Sequence, residues 1–190
     1  MNTEKVHALL RERKSVYPKQ YIEKEISKEI IQEILESANW APTHKMTEPW
    51  RFKVFHGASQ KRIGDFLSSK YRANCKGDDF SVVRFEKMKN NPVRSGAVVA
   101  ICMQRDPDER VPEWEEIASV ACAVQNMWLA ASSYGIGAYW SSPSYLRDFG
   151  EVVHLAEGEK CIGLFYMGYY EPFKTNRKRS AIEEKVSWIQ

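Results

Sequence analysis

Residues 40–52 read W-A-P-T-H-K-M-T-E-P-W-R-F. This stretch lies between an amphipathic helical pattern and a short alternating one, and its composition is unusual for a connector. Pro42 and Pro49 fix their own φ and push Ala41 and Glu48 out of helical geometry. Between them stand Thr43, His44, Lys45 and Thr47, four side chains able to donate hydrogen bonds, with a tryptophan at each end. Stiff backbone, clustered donors and flanking indoles suit a planar, electron-rich ligand rimmed by carbonyls. The other reading is a surface turn whose tryptophans reach back to the core.

Outward from this stretch the chain reads as alternating helices and strands. Upstream, Val6, Leu9 and Leu10 give a first helix that ends at the basic cluster Arg11, Arg13, Lys14. Ser27 is a candidate N-cap for a second helix whose face is Ile30, Ile31, Ile34, Leu35 and Ala38. Downstream, 51–56 alternates like a strand, and Ile63, Phe66, Leu67 and Tyr71 mark a third helix. Residues 72–95 are polar, with a weak helical signal around Phe80 and Val83, and a cover over a site is one option there. Residues 96–103, G-A-V-V-A-I-C-M, form a continuous apolar run expected of a central strand. From Trp114 to Leu129 apolar residues recur at helical spacing, and Cys122, Ala123, Ala130 and Ala131 fill the remaining sides. The reading is a buried central helix, shared with a second subunit. Gly135 and Gly137 end it. Strands follow at A-Y-W-S-S and at 161–169, and the tail places Ile182, Val186 and Trp188 at partly helical spacing.

Composition bounds the function. The chain has 190 residues, enough for one domain spanning 1–190, and a net charge of +3 that is too small to make nucleic acid or a membrane surface the main partner. No apolar run reaches the roughly 20 residues of a spanning helix, and the N-terminus lacks a signal-peptide core, so the expected location is cytoplasmic. Cys75, Cys102, Cys122 and Cys161 form no C-x-x-C pair and read as buried thiols in a reducing compartment. The four histidines are scattered, which excludes a metal cluster; there is no G-x-S-x-G elbow and no phosphate loop. Trp140 stands where G-x-G-x-x-G needs its last glycine. An enzyme built this way relies on a cofactor for its chemistry.

Three strings carry a resemblance: R-K-S at 13–15, A-P-T-H-K-M-T-E-P-W at 41–50, and Y-G-I-G-A-Y-W-S-S at 134–142 behind the long apolar helix. In order and spacing they resemble the flavin-dependent nitroreductase family, particularly its short, YdjA-like members. That resemblance implies an α+β fold with a central β-sheet flanked by helices. It also implies an intertwined homodimer with FMN at the subunit interface, and alternating reduction by NADH or NADPH and oxidation by a small acceptor such as a nitroaromatic or quinone. It places Arg13, Lys14 and Ser15 at the FMN phosphate and ring edge, with Arg177 and Arg179 of the tail on the same phosphate. Trp40 and His44 approach the flavin from the second chain, Thr43 is a further cofactor-binding position, and Trp140, Ser141 and Ser142 lie beside the isoalloxazine. The phosphate assignments agree with charge chemistry, because a guanidinium fork neutralises a dianion well. Two-electron transfer through a flavin needs no protein nucleophile, and no side chain is given a catalytic role. The chain departs from the short members at Trp40 and Ser141, where they carry arginine, and at Tyr17, where many relatives have a further arginine. FMN chemistry on a specific metabolite (dehydrogenation or reductive dehalogenation) and flavin storage or redox sensing are the alternatives.

Overall fold

The computed structural model describes residues 2–76, 79–174 and 178–189. Its centre is a four-stranded antiparallel sheet in the order β1-β2-β4-β3, with β1 at Trp50–Phe55, β2 at Ala97–Gln104, β3 at Ile136–Ser141 and β4 at Glu159–Tyr169. β2 and β4 occupy the middle, and seven of the eight residues of β2 are buried. Strands covered on both faces lose the polar alternation, which is why 96–103 reads as unbroken apolar sequence.

One face carries α2 (Lys28–Ala38) and α5 (Glu113–Ser133). Ile31, Ile34 and Ala38 of α2 and Val120, Val124 and Met127 of α5 pack on Val99, Ile101, Met103, Phe165 and Met167. Each large aliphatic side chain so buried contributes roughly 1.5–3 kcal/mol. The other face carries α3 (Gln60–Asn74) and a run of 3-10 turns at Ser144–Glu151. Ile63, Phe66, Leu67, Leu146 and Phe149 meet Val98, Ala100 and Leu164 there, with Phe149 edge-on to Phe55 and Phe66 at 6.1 and 5.8 Å. The architecture is the expected α+β one.

Local chemistry sets the element ends. Ser27 caps α2 through a bond from the Ile30 amide. Gly135, at φ 68°, takes the left-handed turn that stops α5 and feeds β3. Asn2 caps α1 (Thr3–Glu12), accepting from the Lys5 amide.

Four expectations change. The stretch 72–95, read as polar with a weak helical signal around Phe80 and Val83, contains α4 (Val82–Arg94), which packs on α3 and buries Pro92. The 3-10 turns at 144–151 had no sequence counterpart. Among the described tail residues there is a short exposed turn at Ile182–Lys185, and Ile182, Val186 and Trp188 are exposed, so no packing supports a longer helix there. Among the cysteines, Cys102 and Cys161 are buried, but Cys75 is half-buried and Cys122 is exposed on α5.

Candidate functional site

The basic run at the end of α1 is laid against the sheet edge. Val16 donates to the Ala138 carbonyl at 3.0 Å, and Ser15 bridges to Ala138 in parallel, so 15–16 extends the sheet beyond β3. Gly137 makes this approach possible, since a Cβ there would sit 2.6 Å from Val16 Cβ. The Tyr21 hydroxyl sits between the Val16 and Tyr166 carbonyls at 2.8 and 3.1 Å and pins the segment from below. Burial, with Tyr166 beside it, pushes that phenol well above its ordinary range, so it stays a donor.

Arg13 stacks its guanidinium over Trp128 of α5, 4.6 Å from the ring centre. The Trp128 indole donates to the Lys14 carbonyl at 3.3 Å. Lys14 turns the other way: its ammonium donates to the Phe173 carbonyl at 2.9 Å and lies over the Phe173 and Tyr170 rings at 4.2 and 5.3 Å. The tail thus leaves β4 directly beside Lys14. Arg179 is exposed further along it; Arg177 lies outside the described residues. Arg13, Lys14, Ser15 and β3 are therefore brought together, with the start of the tail next to them.

β3 presents two faces to this site. Trp140 points to the α5 side, and its indole N–H is buried against Gly163 without a hydrogen-bond partner among the described residues. Its side chain is built into the sheet, and what remains available at the strand end is backbone and the hydroxyls of half-buried Ser141 and exposed Ser142.

The loop that decided the sequence reading is held separately. Trp50 is 7% exposed and donates to Asn39 Oδ1 at 3.3 Å, as a core-anchoring tryptophan should; Trp40 is 80% exposed and does not reach the core. Thr43 is spent on the loop, accepting from the Glu48 amide at 3.1 Å and pairing with Thr47 at 3.3 Å. Lys45, Met46 and Glu48 all have positive φ (51°, 51° and 41°), a conformation that costs L-residues about 1 kcal/mol or more each. External contacts hold it. Lys45 donates to the Arg110 carbonyl at 3.0 Å, and His44 Nδ1 meets Glu115 of α5 at 2.6 Å. Glu115 was missed by sequence reasoning, since nothing local distinguishes it from Glu113 and Glu116. The Arg105–Glu116 ion pair at 2.6 Å, with Glu116 wholly buried, fixes this end of α5. The Arg110 guanidinium holds the Asp106 carboxyl below its usual range, and Lys160 does the same for Glu113.

His44 and Arg13 thus lean on opposite ends of α5. Their partners, Glu115 and Trp128, are 13 residues apart, about 20 Å along the axis. Trp40 lies near the Trp128 end, lining with Leu9, Asn126 and Leu129 a shallow hollow of about 370 Å³. A larger hollow of about 600 Å³, bordered by Lys19, Lys24, His56 and Arg94, contains none of the candidate residues. Along α5 an unpartnered stripe remains: Trp114 (67% exposed), Ile117 (37%), Ala118, Cys122 and Gln125 are all exposed. No group of metal-ligating side chains occurs among the described residues, and no described helix is long and apolar enough to cross a membrane.

A helix–sheet–helix sandwich with a basic turn on one sheet edge defines an α+β class of protein that comparison with known families makes specific. Residues 10–169 match the family model described as the nitroreductase family. The Escherichia coli K12 protein named "Putative NAD(P)H nitroreductase YdjA" is 30% identical over 139 residues, covering 72% of this chain and 74% of that protein. Among solved structures, a nitroreductase-like family protein from Bacillus cereus superposes with a TM-score of 0.83 at 26% identity, covering 97% of this chain and 96% of the other. A Bacteroides fragilis nitroreductase with bound FMN gives 0.74 at 20% identity over all of both chains, a likeness of fold. The chain belongs to the nitroreductase family, and by that membership it is an oxidoreductase.

Proposed function

We propose that the protein is an FMN-dependent oxidoreductase that carries two electrons from NADH or NADPH to a nitroaromatic, quinone or similar small acceptor, in two half-reactions at one site. The carrying observation is the placement of Arg13, Lys14 and Ser15 beside the β3 edge: two cations and a hydroxyl on a pinned turn, a donor set matched to a phosphate dianion. The FMN-bound B. fragilis relative and the nicotinamide-linked name of YdjA support the same cofactor pair.

In this reading Arg13, with Lys14 and Ser15, serves the phosphate and ring edge, and Arg177 and Arg179 of the tail are assigned to the same phosphate. Trp140 keeps the β3 end rigid, while the backbone and hydroxyls at Ser141 and Ser142 face the ring system. Bound FMN supplies the two-electron chemistry, and the chain positions it and excludes water. The site is completed by a second copy. The exposed α5 stripe is the surface a homodimer would cover, and the 20 Å between the His44 and Arg13 ends of α5 suits two chains that each give one end to a shared flavin. Trp40 and His44 would then serve the partner's flavin, with Thr43 holding the loop that carries them. With tryptophan and serine at positions 40 and 141, this pocket carries less positive charge than one built with arginines there.

The test is the absorbance spectrum of the purified protein, followed by NADH and NADPH oxidation with and without acceptors. Flavin bands together with acceptor-stimulated turnover are expected. Flavin bands without turnover would make the protein a flavin store or sensor, and turnover confined to one metabolite would favour the specific dehydrogenase or dehalogenase.

A further inference from the structure

Two thiols that no flavin role uses face each other in the centre of the sheet. From Ala97↔Met167 to Ile101↔Gly163 the β2–β4 register is regular, but the next pair is Cys102↔Cys161. A bulge has consumed one residue of β4. Without it Cys102 would face Ile162; with it the two cysteines are direct cross-strand partners. Both side chains lie in the same apolar cluster, beside Ala100 and Leu164. Directly opposed residues of antiparallel strands have Cα atoms about 4.5–5.5 Å apart, inside the roughly 4.4–6.8 Å that a disulfide spans. Cys102 is fully buried and Cys161 is 7% exposed.

The surroundings are polar at one edge. Glu159 accepts from the Ala156 amide at 2.9 Å and pairs with Lys53 at 2.9 Å. The interaction with Cys161, ahead of burial, pushes the Cys102 thiol up.

We propose that Cys102 and Cys161 are a latent cross-strand disulfide, closed by peroxide and opened by thiol reductants. Hydrogen peroxide oxidises the more accessible Cys161: an S–O bond forms, the O–O bond breaks, the sulfur gives up two electrons, and one water leaves. Cys102 then attacks that sulfur. The S–S bond forms as the S–O bond breaks, and the Cys102 proton joins the departing hydroxide as a second water. The net change is two thiols and one peroxide to one disulfide and two waters. The bond ties β2 to β4 and encloses α5 and β3 in a covalent loop, independently of whether the protein turns over any acceptor.

The experiment uses the full chain with C75S and C122S, which leaves the two sheet cysteines. After hydrogen peroxide treatment, blocking with N-ethylmaleimide and denaturation, free thiols should fall from two to near zero per chain. The mass should drop by two hydrogens, a peptide linking Cys102 to Cys161 should appear, and the melting temperature should rise until reductant is added. Thiols that survive intact, or that go to sulfinic acid without a linked peptide, would overturn the proposal. If the double variant does not fold, peptide mapping of the wild-type chain with its surface thiols blocked first gives the same readout.

Discussion

Arg13→Ala separates what this side chain does for the fold from what it does for a phosphate. In the protein alone it lies over Trp128 at 4.6 Å, half-buried. Such a cation–π contact contributes about 0.5–1 kcal/mol, and in a chain of 190 residues that lowers the melting temperature of the cofactor-free form by roughly 1–4 °C. Against FMN the variant loses a charge-assisted contact of about 1.5–3 kcal/mol, a roughly 10- to 150-fold rise in Kd. Riboflavin, which lacks the phosphate, should bind wild type and variant within about twofold of each other. Arg13→Lys keeps the charge without the fork and should fall between. Flavin fluorescence quenching gives these affinities. If FMN and riboflavin weaken equally, or if neither changes, Arg13 holds no phosphate and the site must be sought elsewhere.

Three further outcomes can be measured. The wild-type chain should sediment near 44 kDa, twice its 22.0 kDa, and Ile117→Glu on the exposed face of α5 should move it towards the single-chain mass; a charge tolerated there with no change in mass would remove that face from the interface. For His44→Ala, the apo-protein's melting temperature should change little, because the bond to Glu115 is exposed and exposed pairs are worth under about 1 kcal/mol, while the stabilisation conferred by FMN shrinks; a uniform drop with and without FMN would return His44 to a loop-supporting role. Burial pushes the Glu159 carboxyl up, but the Ala156 amide, Lys53 and Cys102 outweigh it and hold it below 4.5, so its contribution is present above that pH and lost as pH falls through the folded value. The gap in melting temperature between wild type and Glu159→Gln should therefore narrow below 4.5, and a constant gap would show that the carboxylate charge is irrelevant.

What was legible in the sequence follows from how each element is held. α2 and α5 were readable because they bury a side-chain stripe against the sheet, and β2 and β4 because both of their faces are covered. α4 was faint for a physical reason. It meets α3 where a Cβ on Gly64 would sit 2.3 Å from the Lys89 carbonyl, so the two helices approach through backbone and leave little apolar periodicity to read. The bulge in β4 was invisible because an apolar run looks the same in either register. Cys122 was read as buried because α5 is apolar on nearly every side, yet within one chain that flank is open. In the site, the strings at 13–15 and 134–142 pointed to residues that do lie together. The string at 41–50 could not reveal that its histidine leans on Glu115, a contact made 71 residues along the chain.

The strand order also sets the timetable of folding. β2 sits between β1 and β4, but β4 is completed only at Tyr169, after α5 and β3 have been made. A chain emerging from the ribosome can pair β1 with β2 early, yet one flank of β2 stays open until the last strand arrives, with its backbone donors and acceptors unpaired. Pairing across that separation carries the loop-closure cost of non-local contacts and slows the final step. An open apolar strand edge is the surface on which partly folded chains aggregate. Truncations that end before 159 should therefore yield insoluble protein rather than a smaller folded one, and the yield of intact chain should rise when synthesis is slowed or cooled.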